Sequence, residues 1–245
     1  MKRPFLLSAC LAIAVVAIPV ATALAQRRTD ERRGGERRSD GPERRDWTKT
    51  VARTDEGGMR MGDADAPVKV IQYVSLVAEG NARFLADGGE RLFINYVSYG
   101  RVSIEYRNLP ANAFDLAAAM LSRCAAPRDY FAMTHYLLSH QPEWMGRAAS
   151  LSDSQRNELR GLPMLQALQR IVPMIGLDRI ASRHEISRVA QQSCMADQAA
   201  LDRLQAGMQQ AQAAHGVRAA PAFVVNGQRV EAQSWAALEP LLGAR

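Results

Sequence analysis

Short stretches of this chain alternate apolar and polar residues, and most of the remainder repeats its apolar residues at helical spacing. Val68-Lys69-Val70-Ile71-Gln72-Tyr73-Val74 is β-branched and apolar, follows Asp65-Ala66-Pro67, and predicts a buried strand. Residues 83–99 carry Phe84, Leu85, Leu92, Phe93 and Tyr96 on one helical stripe, with a kink expected at Gly88-Gly89. Gly100 then punctuates, and residues 101–107 alternate as a second strand. Strand, helix and strand in that order form a βαβ unit, which makes the two strands parallel.

Beyond Pro110 the residues become helix formers. Segments 113–124 and 128–140 come first, then pieces broken by Gly161-Leu162-Pro163 and Pro173, then a long alanine- and glutamine-rich helix over 197–214. No strand signal interrupts the interval from about 110 to 214, so it reads as a helical insertion. Sheet patterning returns in 221–225 and 228–231, which flank Asn226-Gly227, a strong hairpin signal. Ser234 is placed to cap a closing helix over 235–242. The fold class is α/β, ordered βαβ, helical insertion, ββα, with no internal repeats.

The N-terminus adds a compartment. Lys2 and Arg3 precede an apolar run from Leu6 to Val20, and Ala23-Leu24-Ala25 is a small-x-small cleavage site, so residues 1–25 read as a signal peptide. The run is shorter than a bilayer span needs and contains Pro19, which argues against a retained anchor. The chain's formal charge of +6 raises the question of nucleic acid. Its distribution answers it: paired arginines from Arg27 to Arg45 alternate with Asp30, Glu31, Glu36, Asp40 and Glu43 among glycines and prolines. That composition predicts a disordered mixed-charge tail over 26–60, ahead of a domain over 61–245. Nucleic acid is not an expected partner of an exported chain.

Three cysteines are present, and Cys10 belongs to the signal peptide. Cys124 and Cys194 remain as an even pair, which in an exported chain favours a disulfide. The expectation is a structural bridge, with Cys124 deep in one helix and Cys194 following another. A displaced redox pair is the alternative, and it requires an exposed, low-pKa thiolate. Other chemistry is scarce. His135 and His140 are five apart, the wrong interval for one helical face, and read as surface or partly buried side chains. No histidine and carboxylate spacing suits a metal, and no cofactor is expected. Ser75 lacks the glycines of a nucleophile elbow, and Trp144 reads as a packing anchor.

Several separated patches resemble the DsbA-type thiol-disulfide interchange proteins, a branch of the thioredoxin fold. Residues 61–68 resemble the approach to the first strand, Arg107-Asn108-Leu109-Pro110 the exit from the second, and residues 216–227 the family's G-V-x-G-T-P-T-F-x-x-N-G loop. Tyr73, Ser75 and Phe84 fit the frame Y-x-S-x-x-C-P-x-C-x-x-F, but Ala78 and Asn81 stand at the two cysteine positions. Exchange needs a thiolate, and neither a methyl group nor a carboxamide supplies one. Gly80-Asn81 also suggests a turn that moves the helix cap to Asn81.

The resemblance implies a thioredoxin-like fold in which Pro221 is a cis-proline and, with Ala220, faces substrate peptide. A second reading has Pro221 only shaping entry to a sheet edge. It further implies a periplasmic protein without the redox pair, binding unfolded or extended polypeptide or an envelope protein. The alternatives are residual oxidoreductase or isomerase activity through Cys124 and Cys194, and a purely structural envelope role.

Overall fold

Six strands form one mixed sheet in the computed structural model, which describes residues 45–243. The expected signal peptide and the tail as far as residue 44 lie outside the described residues. The strands are β1 (Val51–Arg53), β2 (Met59–Met61), β3 (Val68–Val74), β4 (Val102–Asn108), β5 (Ala222–Val225) and β6 (Gln228–Val230), in the order β1-β2-β4-β3-β5-β6. β3 and β4 are parallel, with Val68 opposite Val102 and Val74 opposite Asn108, as a βαβ crossover requires. β5 joins β3 antiparallel and turns into β6 through Asn226 and Gly227, both at positive φ.

The first strand pair corrects an expected boundary. The sheet begins at Val51, ten residues before the anticipated domain start at Met61, because β1 and β2 form a hairpin whose second strand pairs with β4. Each is three residues long and mixes arginine with apolar residues, too little for a period of two to declare itself. Ahead of it, the turn Trp47–Lys49 is capped by Asp46, and the Trp47 amide donates to the Ser98 carbonyl at 3.2 Å.

Alternation along the strands divides the core between the two sheet faces. Val70, Val74, Ile104, Tyr106, Phe223 and Met59 belong to the larger cluster, with Phe84, Leu92 and Tyr96 from the crossover helix. Tyr73, Ala222 and Val224 point the other way and form a smaller cluster with Leu109, Ala211 and Val217. The crossover helix, α1, runs over 79–97 and contains π-helical turns at Leu85–Gly89 and Phe93–Val97. The Gly88-Gly89 pair thus widens the helix instead of breaking it. A side chain at Gly88 would overlap Trp235, whose ring lies 6.4 Å from Phe84 and 6.0 Å from Tyr96, so the missing Cβ is what lets the closing helix dock.

The insertion supplies α2 (Ala113–Ser122), α3 (Pro127–Ser139), α4 (Gln141–Ala149), α5 (Asp153–Gly161), α6 (Met164–Met174), α7 (Leu177–Arg183), α8 (Arg188–Met195) and α9 (Gln198–His215). Asn112, Ser152, Ser187 and Asp197 cap their helices by accepting from backbone amides. Pro173 sits in the last turn of α6. Trp144 is fully buried and donates to the Leu137 carbonyl at 3.0 Å, as a packing anchor should. The closing helix, α10 (Trp235–Leu238), is capped by Ser234 and continues as a 3₁₀ turn over Glu239–Leu242. Among the described residues no helix is long and apolar enough to cross a membrane.

Cys124 and Cys194 form a disulfide with their Cα atoms 5.8 Å apart. Their placement reverses the expectation: Cys124 lies just beyond the end of α2, and Cys194 lies within α8. At the helix end the Ala119 carbonyl accepts from both the Ser122 hydroxyl at 2.8 Å and the Arg123 amide at 3.3 Å. The bridge joins residues 70 apart in sequence, and restricting the unfolded chain by such a loop contributes about 4 kcal/mol. The Cys124→Ser, Cys194→Ser double variant is therefore expected to lose about 3–4 kcal/mol in urea unfolding while keeping its far-ultraviolet spectrum. A loss below about 1 kcal/mol would show that the bridge restrains little.

Candidate functional site

The chain leaves β3 into a buried corner before α1 starts, and polar side chains from distant segments fix its path. Ser75 and Leu76 are buried, as is Asp115 in the first turn of α2. The Asp115 carboxylate accepts from the Ser75 hydroxyl at 2.6 Å, the Leu76 amide at 2.8 Å and the Ala111 amide at 2.9 Å. Burial raises its pKa, and these three hydrogen bonds oppose the rise. From the other side, Gln141 at the start of α4 donates to the carbonyls of Leu76 at 2.6 Å and Ala78 at 3.2 Å.

Asn81 is not the helix cap that the sequence suggested. α1 begins earlier, at Glu79, with Ala78 as a cap that makes no side-chain hydrogen bond. Asn81 is fully buried, its carbonyl accepts from the Ser75 amide at 3.1 Å, and its NH₂ donates to the Tyr73 carbonyl at 3.4 Å. A side chain already bonded across the strand end has no reason to fold back on its own helix. Ala78 is half-buried at the helix entrance and has no reactive atom.

Two positions about 140 residues apart meet here, of which the sequence predicted Pro221. The Ala220–Pro221 peptide bond is cis, and a Cβ added to Gly80 would lie only 2.8 Å from Pro221 Cδ. Gly80 therefore allows the helix entrance to touch the proline. Depressions adjoin this contact. One, about 960 Å³, lies between α1 and α3 and reaches Glu79, Arg83, Tyr136 and Gln141. The other, about 350 Å³, is lined by Ala220 and Pro221 with Arg218 and Arg229. Sequence reasoning missed Asp115, Gln141 and Gly80. The Asn112-x-x-Asp115 spacing signals a helix start, but not that the carboxylate turns inward to Ser75.

His135 and His184 line the cleft between α1 and α3. His135 is enclosed by Phe93, Tyr106 and Phe131, with Nε2 3.1 Å from the Tyr106 hydroxyl, and burial pushes its pKa down to about 4. His140 stacks on Tyr136 with ring centres 3.9 Å apart. Among the described residues no three His, Cys, Asp or Glu side chains come together as metal ligands.

Removing the Asp115 carboxylate strands the buried Leu76 amide and Ser75 hydroxyl and frees the Ala111 amide at the surface. Asp115→Ala is expected to cost about 3 kcal/mol in chemical unfolding, and a cost below about 1 kcal/mol would show that the corner holds its path without it. His135 sets a pH dependence: the unfolded chain takes up a proton near pH 6.5 that the folded protein refuses until about 4. Its contribution is complete above about pH 6.5 and is lost as pH falls toward 4, with on the order of 3 kcal/mol at stake. His135→Gln, which preserves a partner for Tyr106, is expected to flatten the stability slope in that window by about one proton. An unchanged slope would assign the acid sensitivity elsewhere.

Comparison with known proteins agrees with this geometry. A family model for thioredoxin matches residues 54–244. A search of curated protein sequences finds no match. Among solved structures, a protein-disulfide isomerase from Novosphingobium aromaticivorans superposes with a TM-score of 0.70 at 21% identity, covering 75% of this chain and 94% of its own. Wolbachia pipientis alpha-DsbA1 gives 0.61 at 21% identity over 76% and 88%. MdbA, a thiol-disulfide oxidoreductase from Corynebacterium diphtheriae, gives 0.55 at 12% identity over 80% and 95%. The chain belongs to the thioredoxin family and has its DsbA-like fold, with Ala78 and Asn81 at the helix entrance.

Proposed function

We propose that this protein is a periplasmic, DsbA-like binding protein that holds extended or unfolded polypeptide and performs no thiol-disulfide exchange at its helix entrance. The observation that carries this reading is the Gly80–Pro221 contact, which preserves the meeting of helix entrance and cis-proline where no sulfur stands. Retention of that junction without a nucleophile favours binding over bond exchange. The side-chain-free cap at Ala78 leaves backbone amides at the entrance. Ala220 presents a small side chain beside them, so a passing peptide main chain meets little steric resistance. The two cysteines outside the leader are bonded to each other in the helical insertion, which leaves neither as a standing thiolate. The leader-like pattern over residues 1–25 supports export to the periplasm.

The reading is tested by fluorescence anisotropy with an unfolded, alkylated polypeptide lacking thiols. Saturable binding is expected, weakened about tenfold or more by Gly80→Val, which pushes Pro221 away, and unchanged by Val189→Ser on a remote exposed position. A photoreactive residue at Ala220 is expected to crosslink the same probe. Insulin-reduction turnover that disappears in Cys124→Ser would instead establish the oxidoreductase alternative, and absence of any saturable binding would leave the entrance vestigial.

A further inference from the structure

The second face of the sheet is only partly covered. α9 packs over Tyr73, Ala222 and Val224 through Ala211, but toward β2 the same face carries polar side chains and opens into a recess of about 570 Å³. Alternation places Ser103, Glu105 and Arg107 on this face, opposite to Ile104 and Tyr106. Register places Arg60 beside Glu105, and Glu105 beside Ile71, while Lys69 lies beside Ser103. Arg60 and Lys69 are thus two strand spacings apart, about 10 Å laterally, with Ser103 and Glu105 on the strand between them.

Most charge in the recess is already matched. Glu105 accepts from Arg107 Nε at 2.7 Å, Arg107 Nη2 at 3.2 Å and the Thr54 hydroxyl at 2.8 Å. Arg107 also approaches Glu56 at 3.8 Å, and Arg53 donates to the Arg123 carbonyl at 3.0 Å. Arg60 is different: its Nε is buried and has no acceptor among the described residues. Lys69 also lines the recess without an ion pair among those residues, and its residue is exposed. Asp55 is the one acid of the lining without an ion pair among the described residues and stands on the exposed turn at the rim.

A buried guanidinium N–H without an acceptor calls for a missing partner, and its planar fork suits an oxyanion. Two unmatched cations flanking a serine hydroxyl suit a dianion with oxygens in several directions better than a planar monoanion. We propose that this recess is a phosphate-binding site, in which Arg60 and Lys69 neutralise the group and Ser103 donates to it. The volume exceeds that of the bare ion, so the phosphate is either free or esterified to a small organic body. The site is separate from the Gly80–Pro221 junction and does not depend on its function.

Titration calorimetry on the protein expressed from the full chain tests this, using inorganic phosphate and glycerol 3-phosphate at constant ionic strength, with acetate and chloride as comparison anions. Saturable binding of at least one phosphate probe is expected, and the tighter of the two identifies the free or esterified source. Arg60→Gln and Lys69→Met are each expected to weaken it at least about tenfold. Should Arg60→Gln fail to fold, Lys69→Met carries the test, since that side chain is exposed and unpaired. Binding unchanged in Lys69→Met, acetate binding as tightly as phosphate, or no saturable binding of either probe would overturn the assignment.

Discussion

A carboxylate buried with no cation beside it among the described residues is the constraint on which this site rests. Asp115 can stay in the interior only because three donors converge on it and because it occupies the first turn of a helix, where the backbone dipole favours negative charge. Two of those donors, Ser75 and Leu76, belong to the chain leaving β3. Their positions fix where Ala78 lies and therefore where α1 starts. Gln141 holds the same segment from the opposite side, so the βαβ unit and the insertion meet at one polar corner. The insertion is thus part of the architecture of the entrance as well as a neighbour to it.

Asn81 is held in a structural role at the helix entrance. Its carboxamide offers a donor and an acceptor, and both are used to tie the helix to the end of β3. A buried amide left unmatched would be costly, so this residue is committed to the fold. Ala78 makes no comparable bonds and leaves the entrance small. Asn81 thus ties the helix to the sheet, while Ala78 only shapes its entrance.

The sequence made the central features legible wherever they were local. The β3 pattern, the parallel pairing with β4 and the Asn226-Gly227 hairpin all follow from periodicity and turn chemistry, and the structure agrees. The limits appear where side chains act at a distance. Nothing in the spacing of Asp115 or Gln141 reveals that both reach the same loop, since the contacts span 39 and 65 residues. β1 and β2 escaped notice because a three-residue strand carries too few alternations. Composition extends α2 through Cys124, whereas the helix ends two residues earlier at Ser122.

Gly88 and Trp235 place a condition on the order in which the molecule can be completed. The crossover helix is made early, yet the space above Gly88 is filled by an indole that the chain supplies 147 residues later. Phe84 and Tyr96 share that indole, and Tyr96 also donates to Glu239 at 3.1 Å. A chain emerging N-terminus first therefore cannot close its main core until Trp235 has arrived. Such an arrangement delays commitment to the native state during synthesis.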